Sequence, residues 1–136
     1  MNYLNPALDK KTTDQVSVLG LAYIGDGVYE LLVRTWLLSH AHTAVLDLHR
    51  LTVSLVNASA QAEGFTVLSD LLTDEEKAVF KRGRNAKVNQ IPHHATSGEY
   101  HTATGLETLF GWLYLKGRDE RIRELYGYIS EKCSDE

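Results

Sequence analysis

Two prolines in 136 residues, Pro6 and Pro92, leave long stretches of this chain free of helix breakers. Within those stretches the apolar residues recur at three- and four-residue steps. Proline removes a backbone donor and kinks a helix interior, so its scarcity together with this period predicts an all-α domain. Thr12 and Gln15 read as a capping box that opens a helix running to about residue 38. Val16, Leu19, Tyr23, Val28, Leu31 and Leu32 form its predicted buried face. A second helix is predicted over about residues 43–62, ending at Gly64. Thr73 with Glu76 is a further capping box, opening a helix that stops near Gly83. Residues 84–98, with Asn85, Asn89 and Pro92, lack periodicity and read as a loop that is long for a compact domain. Helices over about 99–115, ending at Lys116-Gly117, and about 119–130 follow, for a total of five to seven.

The length suits one domain with a single core, here residues 1–136, with about 1–12 and 131–136 expected as flexible tails. A composition 43% hydrophobic and 24% charged is that of an ordinary globular protein, without an apolar run long enough to span a membrane. The start MNYLNPALDKKTTDQ has no apolar core behind a basic segment, so no secretory signal is expected. The single cysteine, Cys133, cannot form an intramolecular disulfide, which points to a reducing cytoplasm. The net charge of −4 rules out a uniformly basic surface, but the cations are uneven. Lys77, Lys81, Arg82, Arg84 and Lys87 fall together with no acid between them. Lys81, Arg82, Arg84, Asn85 and Lys87 combine charges that neutralise phosphates with an amide that bonds phosphate or sugar oxygens. A solvated helix end is the plainer account of the same cluster.

Two segments each hold an acid among apolar residues. LGLAYIGDGVYE carries Asp26, and YHTATGLETLFGWLYL carries Glu107. A carboxylate on a mainly apolar helix is costly to desolvate unless it is paired or binds a cation. If the fold brings the two together, a divalent metal between them would suit phosphodiester cleavage. The alternative is that each acid sits at a helix rim and pairs with Lys or Arg. Gly25 and Gly27 flank Asp26 and each costs about 1 kcal/mol in a helix, which calls for close approach by a backbone or a ligand. Glu30 shares a face with Asp26 but also stands four residues before Arg34, and pairing with Arg34 is the favoured account. The six histidines (His40, His42, His49, His93, His94, His101) show no zinc spacing and read as surface or loop residues. No Gly-rich phosphate loop, dinucleotide fingerprint or GxSxG elbow is present.

The segment Leu21-Ala22-Tyr23-Ile24-Gly25-Asp26-Gly27-Val28-Tyr29-Glu30 resembles the signature helix of the ribonuclease III fold. The resemblance is strongest to the Mini-ribonuclease III family, the short bacterial form without a separate double-stranded-RNA-binding domain. Asp47-Leu48-His49 with Ala60-Gln61-Ala62, then Lys81 to Lys87, then Thr104-Gly105-Leu106-Glu107 through Gly111-Trp112-Leu113-Tyr114-Leu115 match it in order. The resemblance implies an all-helical homodimer that cuts double-stranded RNA with Mg2+, notably precursors of large-subunit ribosomal RNA. It places Asp26 and Glu107 on the family's catalytic acids, and Lys81 to Lys87 on a segment used near RNA. Two further acids of the larger enzymes correspond to Ala22 and Thr104, which implies fewer direct metal ligands here.

The reading is therefore a magnesium-dependent endoribonuclease. Its rival is a non-catalytic dimer of the same fold that binds structured RNA, but a pure binder gains nothing from acids that face a polyanion. A helical protein-interaction module would leave the basic cluster without a purpose.

Overall fold

The computed structural model describes residues 1–40, 44–87 and 95–134. They form seven helices: α1 (Lys10–Asp14), α2 (Val18–His40), α3 (Val45–Val56), α4 (Ala58–Phe65), α5 (Asp74–Arg84), α6 (Ser97–Leu115) and α7 (Asp119–Ser134). Among the described residues there is no strand, as the periodicity predicts.

The two N-terminal predictions each resolve into a pair of helices. Thr12 and Gln15 do not form a capping box. The Asp9 side chain accepts from the Thr12 N–H to cap α1, and Gln15 ends that helix. Ser17 then accepts from the Gly20 N–H at 3.0 Å, at the start of α2. The helix predicted over 43–62 is broken at Asn57, whose N–H closes α3 on Val53 while its side chain accepts from Ala60 N–H to open α4. The side-chain Nδ2 also donates to the Val53 carbonyl at 3.0 Å, so one short polar side chain serves both ends, a competition with helix continuation that apolar spacing does not register. The Thr73/Glu76 capping box forms as predicted, and a second one, Thr96/Glu99, opens α6. α6 ends at Lys116 with Gly117 in the left-handed region (φ 74°), and the Arg118 N–H bonds the Leu113 carbonyl at 2.9 Å. This is the glycine-terminated closure expected of that residue pair.

α6 is the central element, with the backbone of α2, α4 and α5 laid against it and α7 covering its end. Leu106, Leu109, Phe110 and Leu113 are fully buried on it, each contributing roughly 2 kcal/mol of apolar burial. α2 contributes Leu21, Tyr29, Val33 and Leu37 to the same core. This corrects the predicted face of α2, because Leu19, Tyr23 and Leu31 are exposed there. The helix is apolar on two sides, and its core side is chosen by Gly25, which stands in register with Leu21, Tyr29 and Val33.

At Gly25 the two long helices touch backbone to backbone. A Cβ there would overlap the Glu107 carbonyl and lie 2.9 Å from Gly111 N, and a Cβ at Gly111 would overlap the Leu21 carbonyl. α5 meets α6 in the same manner. Gly83 is not a helix terminator but a buried residue of α5, where a Cβ would collide with the Thr108 side chain and come within 3.0 Å of Gly105 Cα. Gly64 is likewise buried within α4, facing Ile129 of α7, and the helix ends beyond it at Phe65.

Arg121 of α7 ties the start of α5 to this assembly through two 2.8 Å bonds to the buried Glu76 carboxylate. Before α1, the Leu8 N–H donates to the Leu115 carbonyl at the end of α6. Among the described residues no helix is long and apolar enough to cross a membrane.

Gly25→Ala and Gly111→Ala should each lower stability by about 3 kcal/mol or more in urea denaturation, since a methyl against backbone cannot relax by a rotamer change. Gly127→Ala is the control. Its Cβ meets nothing within 4 Å inside α7, so helix propensity alone should raise stability by up to about 1 kcal/mol.

Candidate functional site

Asp26 follows Gly25 on α2, and Glu107 lies where that glycine meets α6. The helix crossing thus brings the two carboxyl groups within hydrogen-bonding reach of each other. Asp26 is exposed, whereas Glu107 is only partly accessible. Burial, and then the hydrogen bond and the charge presented by Asp26, push the Glu107 carboxyl from an ordinary 4.5 up to about 8. The side chain of Gln61 on α4 pulls in the opposite direction. Two carboxyls so placed carry a single charge comfortably and two only with compensation, either a shared proton or a cation. An all-oxygen donor pair of this kind fits a hard divalent ion that keeps waters in its shell.

The neighbours of the pair set its limits. Ala22, one turn before Asp26, is buried and offers only a methyl group. Thr104, one turn before Glu107, is buried and turns its hydroxyl back to the Tyr100 carbonyl at 3.0 Å. Among the described residues there is no cluster of three or more His, Cys, Asp or Glu side chains that could hold a metal. Gln61, which nothing in the apolar spacing distinguishes, is the residue missed at this site. The signal was the family match of Ala60-Gln61-Ala62, which gave Gln61 no role of its own.

The other candidates fall outside the pair. Glu30 makes the predicted ion pair with Arg34 at 3.3 Å. His40 and His49 are exposed, as expected of surface histidines, but His101 is half-buried on α6 with Nδ1 enclosed and unpartnered. His42, His93 and His94 lie outside the described residues. Lys81, Arg82 and Arg84 occupy the last turn of α5, where cations also suit the helix C-terminus. Asn85 caps that helix and accepts from Arg84 Nε at 3.4 Å, and Lys87 follows. All five side chains are exposed, and among the described residues none of the four cations enters a salt bridge. The α5–α6 contact at Gly83, Gly105 and Thr108 sets this basic end beside the turn of α6 that bears Glu107.

Comparison with known proteins gives this geometry a context. The ribonuclease III domain model matches residues 19–118. The Mini-ribonuclease 3 of Clostridium tetani is 42% identical over 124 residues, covering 90% of this chain and 82% of that protein. That of Enterococcus faecalis is 38% identical, covering 89% and 93%, and that of Symbiobacterium thermophilum is 46% identical, covering 79% and 82%. A crystal structure of a protein from Fusobacterium nucleatum superposes with a TM-score of 0.80 at 29% identity, covering 87% of this chain and 94% of that one.

The raised Glu107 pKa has a defined consequence for stability. A carboxyl whose pKa rises from 4.5 to about 8 on folding favours the fold fully below pH 4.5, and that contribution is lost as the pH climbs through about 8. In EDTA, the wild-type protein should lose urea stability across this window. Glu107→Gln, which cannot ionise, should lose much less. Parallel pH profiles for the two proteins would refute the assigned environment.

Proposed function

Because the chain belongs to the ribonuclease III family, as an endoribonuclease of the Mini-ribonuclease 3 kind, we propose that Asp26 and Glu107 are its catalytic carboxylates. Together they would hold magnesium for the cleavage of double-stranded RNA. The supporting observation is the contact between the two acids at the α2–α6 crossing, where the second charge calls for a cation. The physiological substrate in this reading is a precursor of large-subunit ribosomal RNA, met in the cytoplasm.

The chain's own groups divide the work. Asp26 is exposed, and the adjoining Gly27 has open space around it, so a phosphodiester can approach the pair from the α2 side. Glu107 is enclosed by α6 and its neighbours, which holds one carboxylate in place and limits the water around it. When bound by these two side chains, magnesium supplies Lewis-acid polarisation of the scissile phosphate and an activated water. Ala22 and Thr104 contribute no carboxylate, so water or RNA oxygens would have to supply the remaining ligands. Hydrolysis in this mode leaves a 5′-phosphate and a 3′-hydroxyl.

Lys81, Arg82, Arg84, Asn85 and Lys87 are assigned to RNA binding, holding backbone phosphates beside the acids. Recognition then follows the shape of the A-form duplex rather than its sequence. The exposed stripe Leu19, Tyr23, Leu31 and Leu38 on α2 supports a two-fold homodimer, which would bury that apolar surface and align two sites along one duplex. Residues 1–136 form one catalytic domain in this scheme.

Asp26→Asn and Glu107→Gln should each lower cleavage of long duplex RNA by about 100-fold or more in magnesium, since each removes charge from the cation site with little change of shape. Binding of the RNA should remain near wild type. Either variant cleaving at the wild-type rate would dismiss the assignment.

Replacing Lys81, Arg82, Arg84 and Lys87 by Ala should weaken binding to all duplex sequences alike. Each lost phosphate contact should flatten the log–log salt dependence by somewhat under one unit. Unchanged affinity and slope at two salt concentrations would reduce the cluster to a solvated helix end.

A further inference from the structure

Gln61 is only 2% exposed, and its Nε2 is enclosed without a hydrogen-bond partner. A buried amide left unpaired costs about 1–3 kcal/mol, and an apolar side chain of similar volume would avoid that cost. The fold therefore gains nothing from the Nε2 group. Its position supplies the reason it is there. α4 lies against α6, and the buried Gln61 side chain reaches the Glu107 carboxyl. The Asn57 cap fixes where α4 starts, and Gly64 near its finish faces Ile129 of α7. Gln61 is thus carried by α4 to a place where its side chain acts on the Glu107 carboxyl and lowers its pKa.

We propose that Gln61 is the positioning residue of the carboxylate pair, its Nε2–H group held to donate to Glu107 and orient that carboxylate toward a divalent cation shared with Asp26. This rests on the assignment of Asp26 and Glu107 as the cation-holding pair. An amide suits the role better than a cationic side chain. Lys or Arg here would neutralise Glu107 and compete with the metal, whereas a neutral donor steadies the carboxylate and leaves its charge available. Outer partners that hold metal-binding carboxylates typically change affinity by about 10- to 100-fold when removed.

The test compares Gln61→Met with the wild type and with Asp26→Asn, because Met keeps the length and volume of Gln but has no donor. Mn2+ binding to the free protein is followed by electron paramagnetic resonance without RNA, and thermal unfolding is followed in EDTA. For Gln61→Met the expected result is Mn2+ affinity lowered about 10- to 100-fold, with the magnesium concentration for half-maximal RNA cleavage shifted up by a similar factor. Its Tm in EDTA should be equal to the wild type's or higher, because an unpaired buried amide has been removed. Wild-type Mn2+ affinity in Gln61→Met would overturn the inference. So would a lowered Tm or loss of the fold, which would make the amide a structural element. If Asp26→Asn bound Mn2+ as well as the wild type, or the wild type showed no saturable binding, the underlying pair assignment would fail as well. That failure is distinct from one in which Asp26→Asn loses the ion and Gln61→Met keeps it.

Discussion

The contact between α2 and α6 through Gly25 and Gly111 carries both the core and the site. Each glycine faces a carbonyl of the other helix, Glu107 for Gly25 and Leu21 for Gly111, so the two backbones approach more closely than any side chain would permit. Helices normally pack with side chains between them at 8–10 Å. Removing the side chains at the crossing lets Leu21, Tyr29 and Val33 reach Leu109, Phe110 and Leu113 around it. The same approach leaves Asp26, the residue after Gly25, beside Glu107. Any change that separates the helices would weaken the core and part the carboxyls together.

Two glutamates show how environment assigns different work to one residue type. Glu76 is 3% exposed, yet it is held by two bonds from Arg121 and by the Thr73 capping box, and its pKa falls although burial alone would raise it. Its charge is compensated inside the protein, and it fastens α5 to α7. Glu107 is less enclosed but faces another carboxyl and an amide, and its pKa rises to about 8. Perturbation of this second kind, with no cation among the described residues to relieve it, is a mark of a working site. With both carboxyls ionised, a cation bound between them offsets the cost of the second charge.

α2 is the element on which sequence reasoning was most exposed to error. Its apolar residues recur on two faces, so periodicity predicts a buried stripe without saying which one the core takes. The stripe through Leu19, Tyr23 and Leu31 stands in solvent, and the one through Leu21, Gly25, Tyr29 and Val33 is inside. A glycine counted as a helix weakness turns out to identify the inner face, and Gly83 follows the same logic on α5. Asn57 shows the converse, a polar residue that ends one helix and begins the next where the apolar period runs on unbroken.

From the sequence alone the helical class, the Thr73/Glu76 cap, the Lys116-Gly117 terminus, the Glu30–Arg34 pair and the two isolated acids were all legible. Each is a local matter of spacing, capping or charge. Family membership was legible too, because four short segments match in order along most of the chain. What required the tertiary structure was everything set by the crossing of distant helices: which face of α2 is buried, the meeting of Asp26 with Glu107, and the presence of Gln61 beside them. Asp26 and Glu107 become neighbours because Gly25 and Gly111 let the backbones of α2 and α6 touch, and the packing of α4 on α6 adds Gln61. Local patterns mark such glycines as costs and cannot name their partners.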